Sequence, residues 1–198
     1  IQLTWPHGDT DWKEYLDEAN STYVQMADAI TQYERLIVVT PYPDQMEALL
    51  AARLSKEQME RVIFNQCPTN DTWARDHGFI TIVEKGNDTE GKEEKKGNRV
   101  VLLDFQFNGW GKKFRADLDN KINRSLYDNG IVKGEYVDLN DFVLEGGSIE
   151  SDGKGTVFTT SCCLLAPNRN QPLSREDIEQ KLKLYLQAER IIWIDYGE

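Results

Sequence analysis

The feature that most constrains this chain is a repeat. An amphipathic helix, a short β-rich apolar run and a polar turn recur about every 40–60 residues. Units of this kind cannot bury their apolar faces alone, so they pack against one another in an α/β repeat architecture. In the first helix, over residues 11–34, Trp12, Tyr15, Leu16, Ala19, Tyr23, Met26 and Ile30 fall at helical spacing, with Asp9 or Thr10 as the expected cap. Leu36 to Thr40 follows as a buried strand, stopped by Pro41 and Pro43. A helix at about 44–60 leads into Val62-Ile63-Phe64, and one at about 114–128 into Ile131 and Tyr136-Val137. Ser174 caps the last helix with Asp177 at the capping-box position, ahead of the strand Ile191 to Ile194. Further strands are expected at 78–83, 100–105, 142–144 and 156–160. Residues 84–98, almost entirely charged, Gly and Asn, read as a mobile hairpin tip between strands. Asp152-Gly153-Lys154-Gly155 reads as a tight hairpin turn. No second domain is visible in the pattern.

With 198 residues the chain is long enough for a substantial core. Thirty-four acidic against 23 basic residues give a formal charge of -11, a field that disfavours nucleic acid and anionic membranes and favours a small cation, although solubility alone also accounts for it. Cys67, Cys162 and Cys163 form no disulfide framework, so a cytoplasmic, reducing setting is expected. No cofactor or metal is expected, because no Cys/His cluster has ligand spacing. No run reaches transmembrane length. The sequence is compatible with a homo-oligomer and silent on its size. The chain starts at Ile1 without a methionine and stops within what reads as a strand and its exit turn, so both ends read as cut.

Two strings carry the chemistry: Thr72-Trp73-Ala74-Arg75-Asp76-His77-Gly78 and Leu144-Glu145-Gly146-Gly147-Ser148-Ile149. Each sets an acid beside an aromatic residue or glycines where an apolar strand meets a loop. An aromatic face attracts a flat cation, and paired carboxylates accept its in-plane N–H groups, so guanidinium is the best chemical match. The competing reading makes Arg75-Asp76 a local salt bridge and Trp73 a core plug. Gly146 and Gly147 clear side chains where a ligand or another backbone approaches closely, the alternative being a bulge with an incidental acid at Glu145. Cys162 and Cys163 read as buried, inert strand residues, and neither His7 nor His77 makes a convincing general base, His77 being expected on the strand face opposite Asp76.

These strings resemble a family. Residues 73–78, 144–156 and Asn168-Arg169-Asn170, with Leu3-Thr4-Trp5-Pro6-His7 and Ile192-Trp193-Ile194, are similar in order and spacing to the agmatine deiminase and Porphyromonas-type peptidylarginine deiminase family. The resemblance spans nearly the whole chain. It implies a pentein-type propeller of ββαβ units, about three of the five being present in residues 1–198, read as a single partial domain. It also implies a mechanism: a cysteine thiolate attacks the guanidinium carbon, a histidine protonates the departing ammonia, and water hydrolyses the amidino-thioether to a ureido product. By that similarity Trp73 and Asp76 line the guanidinium site and Glu145 faces it, the two acids counted as catalytic and Gly146 and Gly147 as substrate-binding. The family's catalytic His-x-Asp and its Gly-rich Cys segment have no counterpart in this chain, and Cys162-Cys163 take the place of a structural cysteine. The expected activity is conversion of agmatine to N-carbamoylputrescine and ammonia, a step of putrescine biosynthesis, with this piece alone inactive. Peptidyl-arginine is the rival substrate. A silent cation-binding module and a glycosidase using Asp76 and Glu145 as acid and base are the readings from other classes.

Overall fold

The computed structural model describes residues 1–84 and 98–196 and builds three sheets of three strands each. In the first, β1 (Gln2–Thr4), β2 (Leu36–Thr40) and β3 (Val62–Gln66) pair all-parallel in that order, joined through α1 (Leu16–Thr31), α2 (Pro43–Ala51) and α3 (Lys56–Met59). A helical turn, α4 (Ala74–His77), then leads to β4 (Ile80–Glu84) and β5 (Arg99–Gln106), which pair antiparallel. A tight turn, α5 (Gly109–Lys112), and a helix, α6 (Ile122–Asp128), precede β6 (Glu135–Val143), which joins β5 in parallel. The third sheet repeats this order: β7 (Ile149–Ser151) and β8 (Thr156–Thr160) form an antiparallel pair, and after α7 (Ser161–Leu164) and α8 (Arg175–Leu186), β9 (Arg190–Ile194) adds parallel to β8. The second and third sheets therefore follow a ββαβ order, whereas the first is βαβαβ. Parallel strands need a crossover, which is why a helix stands before each parallel partner.

Two compact units result, one of residues 1–74 with 115–132 and one of residues 75–114 with 133–196. The first is cored by Trp5, Ala27, Leu36, Val38 and Leu50, all fully buried, with Tyr23 edge-on to Trp5 at 5.4 Å between ring centres. A second apolar cluster there packs Ile122 and Leu126 of α6 on Val39 and Cys67. In the other unit, Ile178 and Leu182 of α8 meet Phe105, Phe142, Leu144 and Leu164. Tyr185 stands edge-on to Phe105 and Phe142 at 5.8 and 5.9 Å. Each such side chain contributes about 1.5–3 kcal/mol on burial. Among the described residues no helix is long and apolar enough to cross a membrane.

Several expected boundaries move, each for a local reason. The helix expected from residue 11 begins at Leu16, because Thr10 is occupied closing an earlier turn: its hydroxyl donates to the His7 carbonyl at 2.8 Å. The helix expected over 44–60 breaks in two, since Ser55 and Gln58 form a capping box that starts a new turn. The one expected from residue 114 begins as a short 3-10 turn at Asp119, whose carboxylate is already bonded to the backbone of residues 70 and 71. Cys162 and Cys163 lie on α7 rather than in a strand, with Cys162 exposed and Cys163 half-buried. Their expected burial as strand residues is thus corrected: β8 ends at Thr160 and the chain turns helical one residue before the first cysteine. His77 likewise closes the α4 turn instead of starting a strand, so the argument from opposite strand faces does not apply to it. Glu84 pairs with Arg99 across β4 and β5, and residues 85–97, where the hairpin tip was expected, lie outside the described residues.

Candidate functional site

The chemistry-bearing side chains of the second unit gather where β6 ends. After Val143 the chain extends through Glu145 and folds into a 3-10 turn, Gly146 to Ser148, closed by Ser148 N–H and Oγ donating to the Glu145 carbonyl at 3.0 and 2.6 Å. The two glycines are there because the 75–76 segment lies directly on them. A Cβ on Gly146 would sit 2.2 Å from the Arg75 carbonyl oxygen, and one on Gly147 would sit 2.4 Å from Asp76 Oδ1. The close approach that the Gly-Gly pair suggested is thus made by the protein's own backbone and carboxylate.

Asp76 is half-buried and held at both oxygens. The Gly147 N–H donates to Oδ1 at 2.9 Å, and the Trp110 indole N–H donates to Oδ2 at 3.2 Å. Arg75 does not form the local salt bridge that sequence proximity suggested as an alternative; it donates to the Ile149 carbonyl at 3.3 Å. His77 is 2% exposed and packs near Phe107, and burial pushes its imidazole down to about 4, so it is neutral near pH 7.

Glu145 is 1% exposed. Its counter-charge is Arg169, whose Nε lies 2.9 Å from Oε1, the two side chains being 2% and 7% exposed. The N–H is not aligned on the oxygen, and among the described residues neither carboxylate oxygen of Glu145 accepts a hydrogen bond. Burial pushes this carboxyl above its usual range and Asp76 adds to the rise, while Arg169 opposes both. A buried charge without hydrogen bonds is an unfavourable state that a fitting donor relieves. Asp76 and Glu145 thus stand together with one buried guanidinium, that of Arg169, between β6 and the segment carrying it.

Arg169 reaches this place through its neighbours. Asn170 acts as a surrogate strand residue, its amide donating to the Val143 carbonyl at 2.9 Å and its Oδ1 accepting the Val143 N–H at 2.8 Å. The Asn168 carbonyl accepts from Asn108 Nδ2 at 2.8 Å. Three residues from the Asn168-Arg169-Asn170 string therefore pin one segment against the end of β6 and the α5 turn. Trp110 is the residue that reasoning from sequence passed over, a Trp between two Gly being its only signal; Arg169 stands in a string that carries the resemblance but was given no role there.

In the first unit, Trp73 is 46% exposed, so it is not a core plug. Its indole N–H donates to Asp71 Oδ2 at 2.9 Å, and Asp71 Oδ1 accepts the Thr72 N–H at 2.8 Å. The loop beneath is held by Asp119, which accepts from Asn70 N and Asp71 N at 2.7 and 3.2 Å. Burial raises the Asp119 carboxyl from 3.8 to about 6 against those bonds. A raised folded-state value means stability that is complete below the unfolded value and lost as pH rises through about 6. We therefore expect the carboxyl carbon resonance of Asp119 to titrate near 6 and an Asp119→Asn variant to lose that slope in stability; a midpoint near 4 would overturn the assignment. His7 is engaged in the same unit, with Nδ1 accepting from Asp9 N at 3.3 Å and Nε2 lying 2.9 Å from Thr69 Oγ1.

The cysteines carry a separate expectation. Cys162 is exposed, whereas burial pushes the Cys163 and Cys67 thiols up. In the folded protein iodoacetamide should label Cys162 well before Cys163 or Cys67. Replacing Cys162 and Cys163 with Ser should leave any guanidine hydrolysis of the intact protein unchanged. Loss of activity in that variant, with the fold retained, would place the nucleophile in this chain.

Comparison with known proteins finds similarity over the whole chain. The profile of the Porphyromonas-type peptidyl-arginine deiminase family matches residues 1–198. A relative from Marinomonas sp. (strain MWYL1), provisionally named agmatine deiminase, is 36% identical over 203 residues, spanning 100% of this chain and 49% of its own length. Among solved structures, a Cys-to-Ser variant of C. jejuni agmatine deiminase with substrate bound superposes with a TM-score of 0.82 at 35% identity, covering 100% of this chain and 53% of that one. A provisionally named arginine deiminase from Porphyromonas gingivalis gives 0.84 at 42% identity, covering 100% and 54%. The mixed α/β fold is that of these deiminases. The chain spans about half the length of the curated relatives it matches.

Proposed function

Since the chain belongs to the Porphyromonas-type peptidyl-arginine deiminase family, we propose that its protein is a guanidine deiminase hydrolysing agmatine to N-carbamoylputrescine and ammonia, with residues 1–198 supplying the guanidinium-binding part. One observation carries the reading. Glu145 holds a buried carboxylate whose oxygens accept no well-aligned hydrogen bond among the described residues, next to a second acid, Asp76. Guanidinium cannot be deprotonated and offers five N–H donors in a plane, so it meets both needs at once. Asp76 and Glu145 orient the substrate, Gly146 and Gly147 let the acids approach, and Trp73 is assigned to the same substrate by family resemblance. Asp76, held by Gly147 and Trp110, resists rotation away from the substrate.

Water replaces one guanidine nitrogen, giving a ureido group and ammonia. The cysteine and histidine that resemblance assigns to this step lie outside the chain. The second and third sheets fit ββαβ units of a pentein propeller while the first departs from that order, and the unpaired cysteines suit the cytoplasm. Named relatives favour agmatine, and the family's own description favours peptidyl-arginine as the second reading. The test is an assay of the intact protein on agmatine and on a blocked arginine peptide, following ammonia and ureido product together. Equal release of both from agmatine supports the proposal, preference for the peptide moves it to the second reading, and no ureido product from either overturns it.

A further inference from the structure

Gly109, Trp110, Gly111 and Lys112 have φ of +66°, +57°, +82° and +66° in succession. Side-chain-bearing residues seldom adopt this conformation, and two of the four bear side chains. The turn is closed by Lys112 N–H on the Asn108 carbonyl at 2.9 Å and Gly111 N–H on Asn108 Oδ1 at 2.8 Å. It also lies hard against Arg169: a Cβ on Gly111 would sit 2.1 Å from Arg169 Nη1. The same guanidinium that neutralises Glu145 is therefore the surface on which this turn rests. Its product is a fixed indole, edge-on to Phe107 and Phe114 at 5.1 and 5.7 Å, with its N–H on Asp76 Oδ2.

We infer that Trp110 is a positioning residue for Asp76, its indole N–H setting the rotation of the carboxylate that grips the substrate's guanidinium. This rests on the guanidine reading above. A carboxylate turns easily about its last bond, which has broad, roughly two-fold preferences. Two donors, one on each oxygen, remove that freedom. Each oxygen has two acceptor directions, so one on each remains, the number a bidentate guanidinium takes. Indole suits the task because it donates and cannot accept, and so offers the substrate's N–H groups no competing acceptor. A serine or asparagine there would offer one.

The test uses Trp110→Phe in the intact enzyme, alone and in an Asp76→Asn background, with agmatine as substrate. Trp110→Phe should lower kcat/KM at least tenfold, with a melting temperature within about 3 °C of the parent, as is ordinary for a change that keeps the apolar ring. In the Asp76→Asn background the same change should cost less than threefold, because the group it positions is gone. If the phenylalanine variant fails to fold, replacing Trp110 with benzothienylalanine, which keeps the shape and loses only the N–H, is held to the same thresholds. A loss under tenfold, or an equal loss in both backgrounds, overturns the inference. Asp76→Asn alone separates the two proposals. If it leaves activity intact, the guanidine site itself is misassigned; if it abolishes activity while Trp110→Phe does not, only the positioning role falls.

Discussion

Asp76→Asn in the intact protein should lower kcat/KM for agmatine by about 10²–10³-fold. The estimate takes two charge-assisted hydrogen bonds to guanidinium at roughly 1.5–3 kcal/mol each, discounted because the amide oxygen still accepts one. A further loss follows from the neighbours. Both oxygens of Asp76 face donors, Gly147 N–H and the Trp110 indole. An asparagine must turn its own NH₂ towards one of them, so a donor meets a donor and the side chain swings. Glu47, exposed on α2, supplies the control, and Glu47→Gln should change kcat/KM less than twofold. Asp71 is a poor control although it is near in sequence, because it accepts the Trp73 indole N–H. A loss under tenfold for Asp76→Asn would remove this carboxylate from the substrate.

How far the sequence reveals this site depends on how local each interaction is. Leu36–Thr40 and Thr156–Thr160 match their expected strands, because an apolar run between turn residues is a local signal. The capping box of Ser174 and Asp177 is equally local and forms as expected. The Asp152 to Gly155 turn joins β7 and β8 with Gly153 and Gly155 at positive φ. Propensity misleads where a distant group claims the residue first. Asp119 is the clearest case, since its bonds to Asn70 and Asp71 cross nearly fifty positions and displace the start of a helix.

The site divides in the same way. Asp76, Glu145 and the two glycines announce themselves, because acids and adjacent glycines at strand ends are unusual in composition as well as position. What holds the acids does not. The Arg169 contact with Glu145 and the Trp110 bond to Asp76 join segments 24 and 34 residues apart, and the second depends on a left-handed turn no propensity favours. Cys162 and Cys163 were misplaced for a simpler reason: β-branched residues ahead of them carried the strand pattern one turn too far.

Arg169→Met is expected to cost the intact protein about 3–5 kcal/mol of stability, the usual result of stripping one partner from a buried ion pair. The methionine fills much of the volume, so the loss is electrostatic: Glu145 is left charged, buried and without hydrogen bonds. Restoring the balance from the other side tests that origin. Adding Glu145→Gln to Arg169→Met should recover at least half of the loss, because an amide has no charge to leave uncompensated. The pH dependence gives a second check. Burial already raises the Glu145 carboxyl, and removing Arg169 takes away the positive charge that opposes the rise. For a carboxyl whose folded value is raised, stability is complete below the unfolded value and falls as pH rises through the folded one. The gap between Arg169→Met and the parent should therefore narrow as pH falls, because a protonated Glu145 needs no counter-charge. Urea unfolding of the parent and both variants at each pH measures all three quantities. A loss under about 1 kcal/mol, or a gap unaffected by pH and by Glu145→Gln, would mean that Arg169 fills space beside Glu145 without neutralising it.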